Sequence, residues 1–144
     1  DGVNTNEGRG FVYHGSATGL SLTPNSTPDD ADQASAYFGY AVTSAGDVNG
    51  DGYSDVIIGA YAYTDGVNTN EGRGFVYHGS ATGLSLTPNS TPDDADQTGA
   101  QFGVSVASAG DVNGDGYSDV IIGANFYTDG VNTNEGRGFV YHGL

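Results

Sequence analysis

The chain has 144 residues, with 18 acidic side chains against three arginines and a formal net charge of −15. That balance excludes nucleic acid and anionic membrane surfaces as partners, since both need basic patches, and no apolar run approaches the roughly 20 residues that cross a bilayer, which excludes membrane insertion. Cysteine and lysine are absent, so disulfides, thiolate metal sites and Schiff-base chemistry are excluded as well.

Internal repetition sets the organisation. Residues 1–33 recur unchanged at 65–97, and the first fifteen recur again at 129–143, a period of 64. Between these copies, residues 34–64 and 98–128 align without gaps and differ at eight positions. Such near-identity points to recent duplication or deliberate design. Residue Asp1 already lies inside a repeated motif and no leader pattern precedes it, so the sequence reads as a mature, excised or designed chain.

Each period carries four strand signals. Residues 38–44 alternate Phe38, Tyr40 and Val42 with Gly39, Ala41 and Thr43, the pattern of a strand with one bulky and one close-packed face. After an acidic loop, residues 56–60 form an apolar, β-branched run too short for a helix, which predicts a second strand buried on both faces. Gly74-Phe75-Val76-Tyr77-His78-Gly79 predicts a third strand bounded by glycines, with further copies starting at Gly10 and Gly138. Leu84-Ser85-Leu86 is the fourth and weakest signal; Pro88 and Pro92 follow it and place it at an outer edge. Residues 93–97 show no apolar 3.6-residue period and are read as a loop. Short strands repeating every 64 residues, with no amphipathic helix, predict an all-β fold: a β-propeller of four-stranded antiparallel blades, about two per chain. On this reading 1–33 is a partial blade supplying third and fourth strands, 34–97 a full blade, and 98–144 a partial blade supplying the first three strands.

Phe38-Gly39, then Asp47-Val48-Asn49-Gly50-Asp51-Gly52-Tyr53-Ser54-Asp55 running into the 56–60 strand, then Gly74-Phe75-Val76-Tyr77 resemble the FG-GAP repeat of integrin α-subunit propellers and of many bacterial secreted proteins. The resemblance covers essentially the whole chain, and its elements occur in the right order twice. The proline expected after Gly-Ala is replaced by Tyr61 in one copy and Asn125 in the other.

The nonapeptide at 47–55 and its verbatim copy at 111–119 concentrate the chemistry. Oxygen-bearing side chains fall at positions 1, 3, 5 and 9, with glycines at 4 and 6 that let the loop curl until those oxygens converge. Spacing and resemblance both imply the same calcium ligands: Asp47, Asn49, Asp51 and Asp55 through side chains and Tyr53 through its carbonyl. In the second loop the set is Asp111, Asn113, Asp115, Tyr117 and Asp119, giving two Ca2+ per chain. An EF-hand-type loop would need an acid at position 12, where Ile58 and Ile122 stand. The remaining alternative is an Asp/Asn/Gly turn that holds nothing, because those residues favour tight turns without a metal.

The metal is expected to be structural, since catalytic cations keep an open position with a general base in reach. His14, His78 and His142 are one strand-end histidine repeated, and every candidate acid or base recurs with the period, unlike an active site; no enzymatic activity is expected. Gly8-Arg9-Gly10 lacks the third glycine and the helix of a phosphate loop. Ten tyrosines offer a sugar-stacking surface or core packing, and Asn25-Ser26-Thr27 and Asn89-Ser90-Thr91 fit the N-glycosylation pattern. Two repeats are too few to close a propeller, so the chain is expected to pair head to tail with itself, three copies giving six blades or four giving eight, with one terminal copy of the third strand, near Phe11 or Phe139, redundant. The sequence thus predicts a calcium-stabilised, extracellular or cell-surface scaffold or adhesion module with a protein or glycan ligand. The alternatives are a calcium-dependent lectin-like module and the non-catalytic propeller of a secreted hydrolase.

Overall fold

The computed structural model describes residues 4–144; the first three residues of the 1–33 segment lie outside the described residues. The chain is all-β, with eight strands and no helix among the described residues. A small hairpin, β1 (Gly15–Ser16) and β2 (Gly19–Leu20), precedes two three-stranded antiparallel sheets. The first sheet is β3 (Ala41–Gly46), β4 (Asp55–Ala60) and β5 (Arg73–Tyr77); the second is β6 (Phe102–Gly110), β7 (Asp119–Ala124) and β8 (Arg137–Tyr141). Each runs in sequence order with its middle strand in the middle, and the two ladders have matching registers: Ile57 pairs with Val76 and Ile121 with Val140. These two sheets are propeller blades.

The central strand is what the continuous apolar run predicts. In β4 every residue but the half-buried Val56 is buried, because β3 and β5 satisfy its backbone on both edges and side chains cover both faces. The first strand differs from the expected alternation. Phe38 is buried, whereas Tyr40 and Val42 are exposed, and the ladder starts only at Ala41. Gly39, at φ +85°, is the reason: this left-handed turn, which glycine adopts without steric cost, seats Phe38 in the core and re-aims the chain behind it. In the second copy Gly103 takes φ +83° and the ladder shifts register between Phe102 and Ser105.

The fourth strand is also displaced from its expected position. Leu84-Ser85-Leu86 is not a strand, and Leu86 is almost fully exposed. The outer edge of β5 is met by residues 90–92: Gly74 N–H donates to Pro92 O at 2.9 Å and Val76 N–H to Ser90 O at 2.9 Å. Pro92 lends its carbonyl inward and has no N–H to leave unpaired outward, which suits an edge. The 1–33 segment repeats this pairing, with Gly10 N–H on Pro28 O (2.8 Å) and Val12 N–H on Ser26 O (3.0 Å).

Two apolar clusters hold the layers together. One gathers Ala31, Ala36, Phe38, Ile58, Ala60, Phe75 and Tyr77 beneath the first sheet. The other holds the equivalents from the second unit, Ala95, Ala100, Phe102, Ile122 and Ala124, and adds Ala45, Ile57 and Val76 from the facing side of the first sheet. The second cluster is therefore the blade-to-blade interface. Backbone approach there is close: a methyl group added at Gly59 would fall 2.0 Å from the Gly103 carbonyl oxygen. Polar clasps recur at the same seams. Gln97 exchanges two hydrogen bonds with the Thr128 backbone (2.7 and 2.9 Å), as Gln33 does with Thr64 (2.8 Å each). Tyr141 Oη donates to Asp94 at 2.6 Å as Tyr77 Oη does to Asp30 at 2.7 Å.

Candidate metal loops

The acidic loops connect β3 to β4 and β6 to β7, so a hairpin fixes both ends of each. Gly50 and Gly52 sit at φ +73° and +87°, and these two left-handed residues curl the loop back over its first aspartate. Asp47 Oδ1 then accepts from the Asp51 N–H (3.0 Å) and Oδ2 from the Gly52 N–H (2.9 Å). Asn49 Oδ1 accepts from the Asp51 N–H (3.1 Å), and Asp51 Oδ1 from the Tyr53 N–H (2.9 Å). The second loop repeats the geometry: Asp111 receives Gly114, Asp115 and Gly116 N–H groups (2.7, 3.0 and 2.9 Å), and Asp115 receives Tyr117 N–H (2.9 Å). Convergent main-chain N–H groups hold the side chains of positions 1, 3 and 5 on the inside of the curl.

Position 9 is different. Asp55 and Asp119 are fully buried, and each carboxylate accepts two main-chain N–H groups. Asp55 takes Val48 and Gly79 at 2.8 Å each, and Asp119 takes Val112 at 2.7 Å and Gly143 at 3.0 Å. This aspartate ties the start of the loop to the end of the third strand. Among the described residues no three Asp, Glu, His or Cys side chains close on a single point; the loop's donors are one amide oxygen, three carboxylates and the carbonyl of Tyr53 or Tyr117. The all-oxygen set fits a hard cation. Each carboxylate has about four lone-pair sites, so those of Asp55 are not exhausted by two amides.

Histidine reaches these loops after all. The Asn49 side-chain amide lies 3.2 Å from His78 Nδ1, and the Asn113 amide 2.8 Å from His142 Nδ1. The sequence separation of 29 conceals this, but the strand register does not: Val56 pairs with Tyr77, which sets His78 beside the base of the loop. Arg73 is ion-paired with Asp65 and Asp93, and its guanidinium stacks 4.5 Å from the Tyr63 ring centroid. Arg9 pairs with Asp29, and the exposed Arg137 lies 4.2 Å over the Tyr127 ring centroid.

The two loops lie side by side at one end of the sheets. Ser118 N–H donates to Asp47 O at 2.8 Å, and the Tyr117 ring rests on Gly50, where a methyl group would come within 2.5 Å of it.

A family model described as FG-GAP repeat matches residues 38–77 and 102–141, two spans that each run from the buried phenylalanine through the acidic loop to the end of the third strand. Among curated relatives, integrin alpha-PS2 of Drosophila melanogaster is 41% identical over 115 residues, 76% of this chain and 8% of that protein. Integrin alpha-4 of Xenopus laevis is 37% identical over 108 residues, covering 75% of this chain and 10% of its own length. Integrin alpha-IIb of Mus musculus is 37% identical over 87 residues, 60% of this chain and 8% of that protein. The chain therefore spans about a tenth of the length of the relatives it matches. With the repeat matched twice and its strand, loop and glycine corner each in place, this chain belongs to the FG-GAP repeat family.

Proposed function

We propose that the chain is a non-catalytic propeller module for adhesion or interaction, working outside the cell and stabilised by one Ca2+ in each acidic loop. The observation that carries this reading is the pair of like-built oxygen-lined curls, each on a blade of a family shared with integrin α chains. Asp47, Asn49, Asp51 and Asp55 with the Tyr53 carbonyl would hold the first ion, and Asp111, Asn113, Asp115 and Asp119 with the Tyr117 carbonyl the second. A bound cation would offset the repulsion among three carboxylates in each loop and lock the hairpin that orients the blade. A structural role suits a site that recurs with the repeat and whose only imidazole is engaged by a ligand's amide. No helix among the described residues is long and apolar enough to cross a membrane, and millimolar extracellular calcium matches loops of modest affinity.

The test is thermal unfolding across a calcium titration, with magnesium and chelator as references. Binding only to the folded state raises stability by about 2.7 kcal/mol at a hundredfold excess over Kd, so the melting temperature should climb with calcium. Replacing Asp47 and Asp111 together with alanine should abolish that climb. A melting temperature indifferent to calcium and chelator would overturn the reading.

A further inference from the structure

The internal interface works as a knob in a groove. On the first blade Ile57 and Val76 are buried, at 0% and 4% exposure, against Val120, Ile122 and Phe102 of the second. The same side chains on the second blade, Ile121 and Val140, are bare at 38% and 48%. Small residues tell the same story. A methyl group added at Gly46 would fall 2.4 Å from Ser118 and one at Gly50 2.5 Å from Tyr117, whereas one added at the equivalents Gly110 or Gly114 would meet nothing within 4 Å.

The complementary groove exists at the opposite side of the molecule. Gly10, Phe11, Val12, Tyr13, Val42, Val56 and Ile58 border an open cleft of about 300 Å³. Of these, Val12, Val42, Val56 and Ile58 are the 64-residue equivalents of Val76, Val106, Val120 and Ile122, which share one apolar cluster with Ile57 within the chain. Tyr53 and Ser54, equivalents of the Tyr117 and Ser118 that cover the first loop, are likewise exposed.

The third strand decides how the faces meet. Residues 8–14 and 136–142 are identical in sequence, and both lie in third-strand positions. The earlier copy keeps its fourth-strand partner, through Gly10 on Pro28 and Val12 on Ser26, its bridge to the next blade, Gly8 to Phe38, and its Arg9–Asp29 ion pair. What it lacks is a second strand on its other edge. The later copy, β8, has that second strand in β7 but no fourth strand beside it among the described residues.

We propose that this chain assembles head to tail with further copies of itself, residues 9–13 of one copy replacing β8 of another at the edge of β7. Val12 of the incoming copy then pairs with Ile121, as Val76 pairs with Ile57; Ile121 fills the cleft between Val12, Val56 and Ile58, and the incoming Tyr53 covers Gly114. The exchanged strands have one sequence, so the ladder lost equals the ladder gained, and the burial of the bare face favours the exchange. The interface is a repetition of one the molecule already contains. Its ladder and its apolar contacts use no loop carboxylate and do not depend on the calcium reading; the Tyr53–Gly114 contact alone touches the acidic loops.

Two full-length variants, Ile121→Cys and Val12→Cys, are mixed, reassembled and oxidised, beside sedimentation of the unmodified chain. The chain contains no cysteine of its own, so a disulfide reports only the introduced pair. The expected result is a mass several times the 14.6 kDa of one chain, with a cross-linked dimer in the mixture and in neither variant alone. A monomeric mass for the unmodified chain would overturn the proposal. So would an assembly in which the mixture gives no cross-link, since residues 9–13 would then not lie against β7. Both readouts hold in calcium and in chelator, which separates their failure from that of the calcium sites.

Discussion

The two blades are nearly one sequence placed in two environments. From Ser44 to Ala60 the first blade matches residues 108–124 of the second residue for residue, yet Ile57 is buried and Ile121 is not. Burial here is set by the neighbour, because a propeller blade has two apolar faces and can cover neither alone. Where the blades do differ, three of the changes gather in one place. Tyr37, Tyr40 and Tyr61 form a stacked and edge-on cluster with centroids 5.3 and 4.6 Å apart, where the second blade has Gln101, Val104 and Asn125.

The sharpest way to break the comparison is to truncate the same side chain twice. Ile57→Ala should cost about 2–5 kcal/mol, the range for deleting a buried aliphatic group without collapse of the cavity. Ile121→Ala should cost well under half as much in dilute solution, where its face is bare. Urea unfolding of both variants measures the difference. If Ile121 is covered by another copy, its cost should grow with protein concentration while that of Ile57 stays constant. Equal costs at all concentrations would mean that the blades are equally covered, against the exposure seen here.

A smaller contrast lies in the tyrosine clasps. Tyr77 and Tyr141 both donate to an aspartate, but Tyr77 is fully buried and Tyr141 only partly. Burial pushes both phenols up, and the hydrogen bond to a carboxylate adds to the shift. The folded state therefore keeps these protons when the unfolded chain releases them. Their contribution to stability is present below the ordinary phenol range of about 10 and is lost as pH climbs above it toward the raised values. Tyr77→Phe should cost about 1 kcal/mol and Tyr141→Phe less. In a spectrophotometric titration the signal lost in each variant should come from the last phenols to ionise.

The legibility of the chain follows the range of the forces involved. Strands β4 and β7, the third strands and the acidic hairpins were readable because β-branched runs, glycine brackets and carboxylate spacing act within a few residues. The true start of the first strand was not, since it turns on the single backbone angle of Gly39, and alternation on paper assumes an unbroken pleat. The fourth strand was misplaced because Leu84 and Leu86 look like strand residues, while residues 90–92 earn their place by hydrogen bonds to β5, a non-local fact. The oxygen-rich chemistry of the loops was legible, while among the described residues no three of their acidic side chains close on a single point. The diversion of Asp55 and Asp119 to main-chain amides and the arrival of His78 and His142 required the register.

The smallest expected effect concerns Glu71, which is 2% exposed and has one carboxylate oxygen, Oε2, without a hydrogen-bond partner. Burial raises its pKa, and Asp65, Asp93 and Asp96 push in the same direction against a hydrogen bond from Asn68. A raised carboxyl pKa means that the folded state binds the proton more tightly than the unfolded chain. Stability from this group is thus greatest below the ordinary carboxylate range of about 4.3 and declines as pH rises through the raised value. Glu71→Gln removes the titration while keeping the shape and the Asn68 contact, so it should stabilise the fold at neutral pH by about 1 kcal/mol or less. The advantage should shrink to nothing below pH ~4, which melting curves of the pair across pH would display. A variant less stable than the parent at pH 7 would show instead that the Glu71 charge is held by Arg73, which sits between Asp65 and Asp93, and that the seam between the blades depends on that charge.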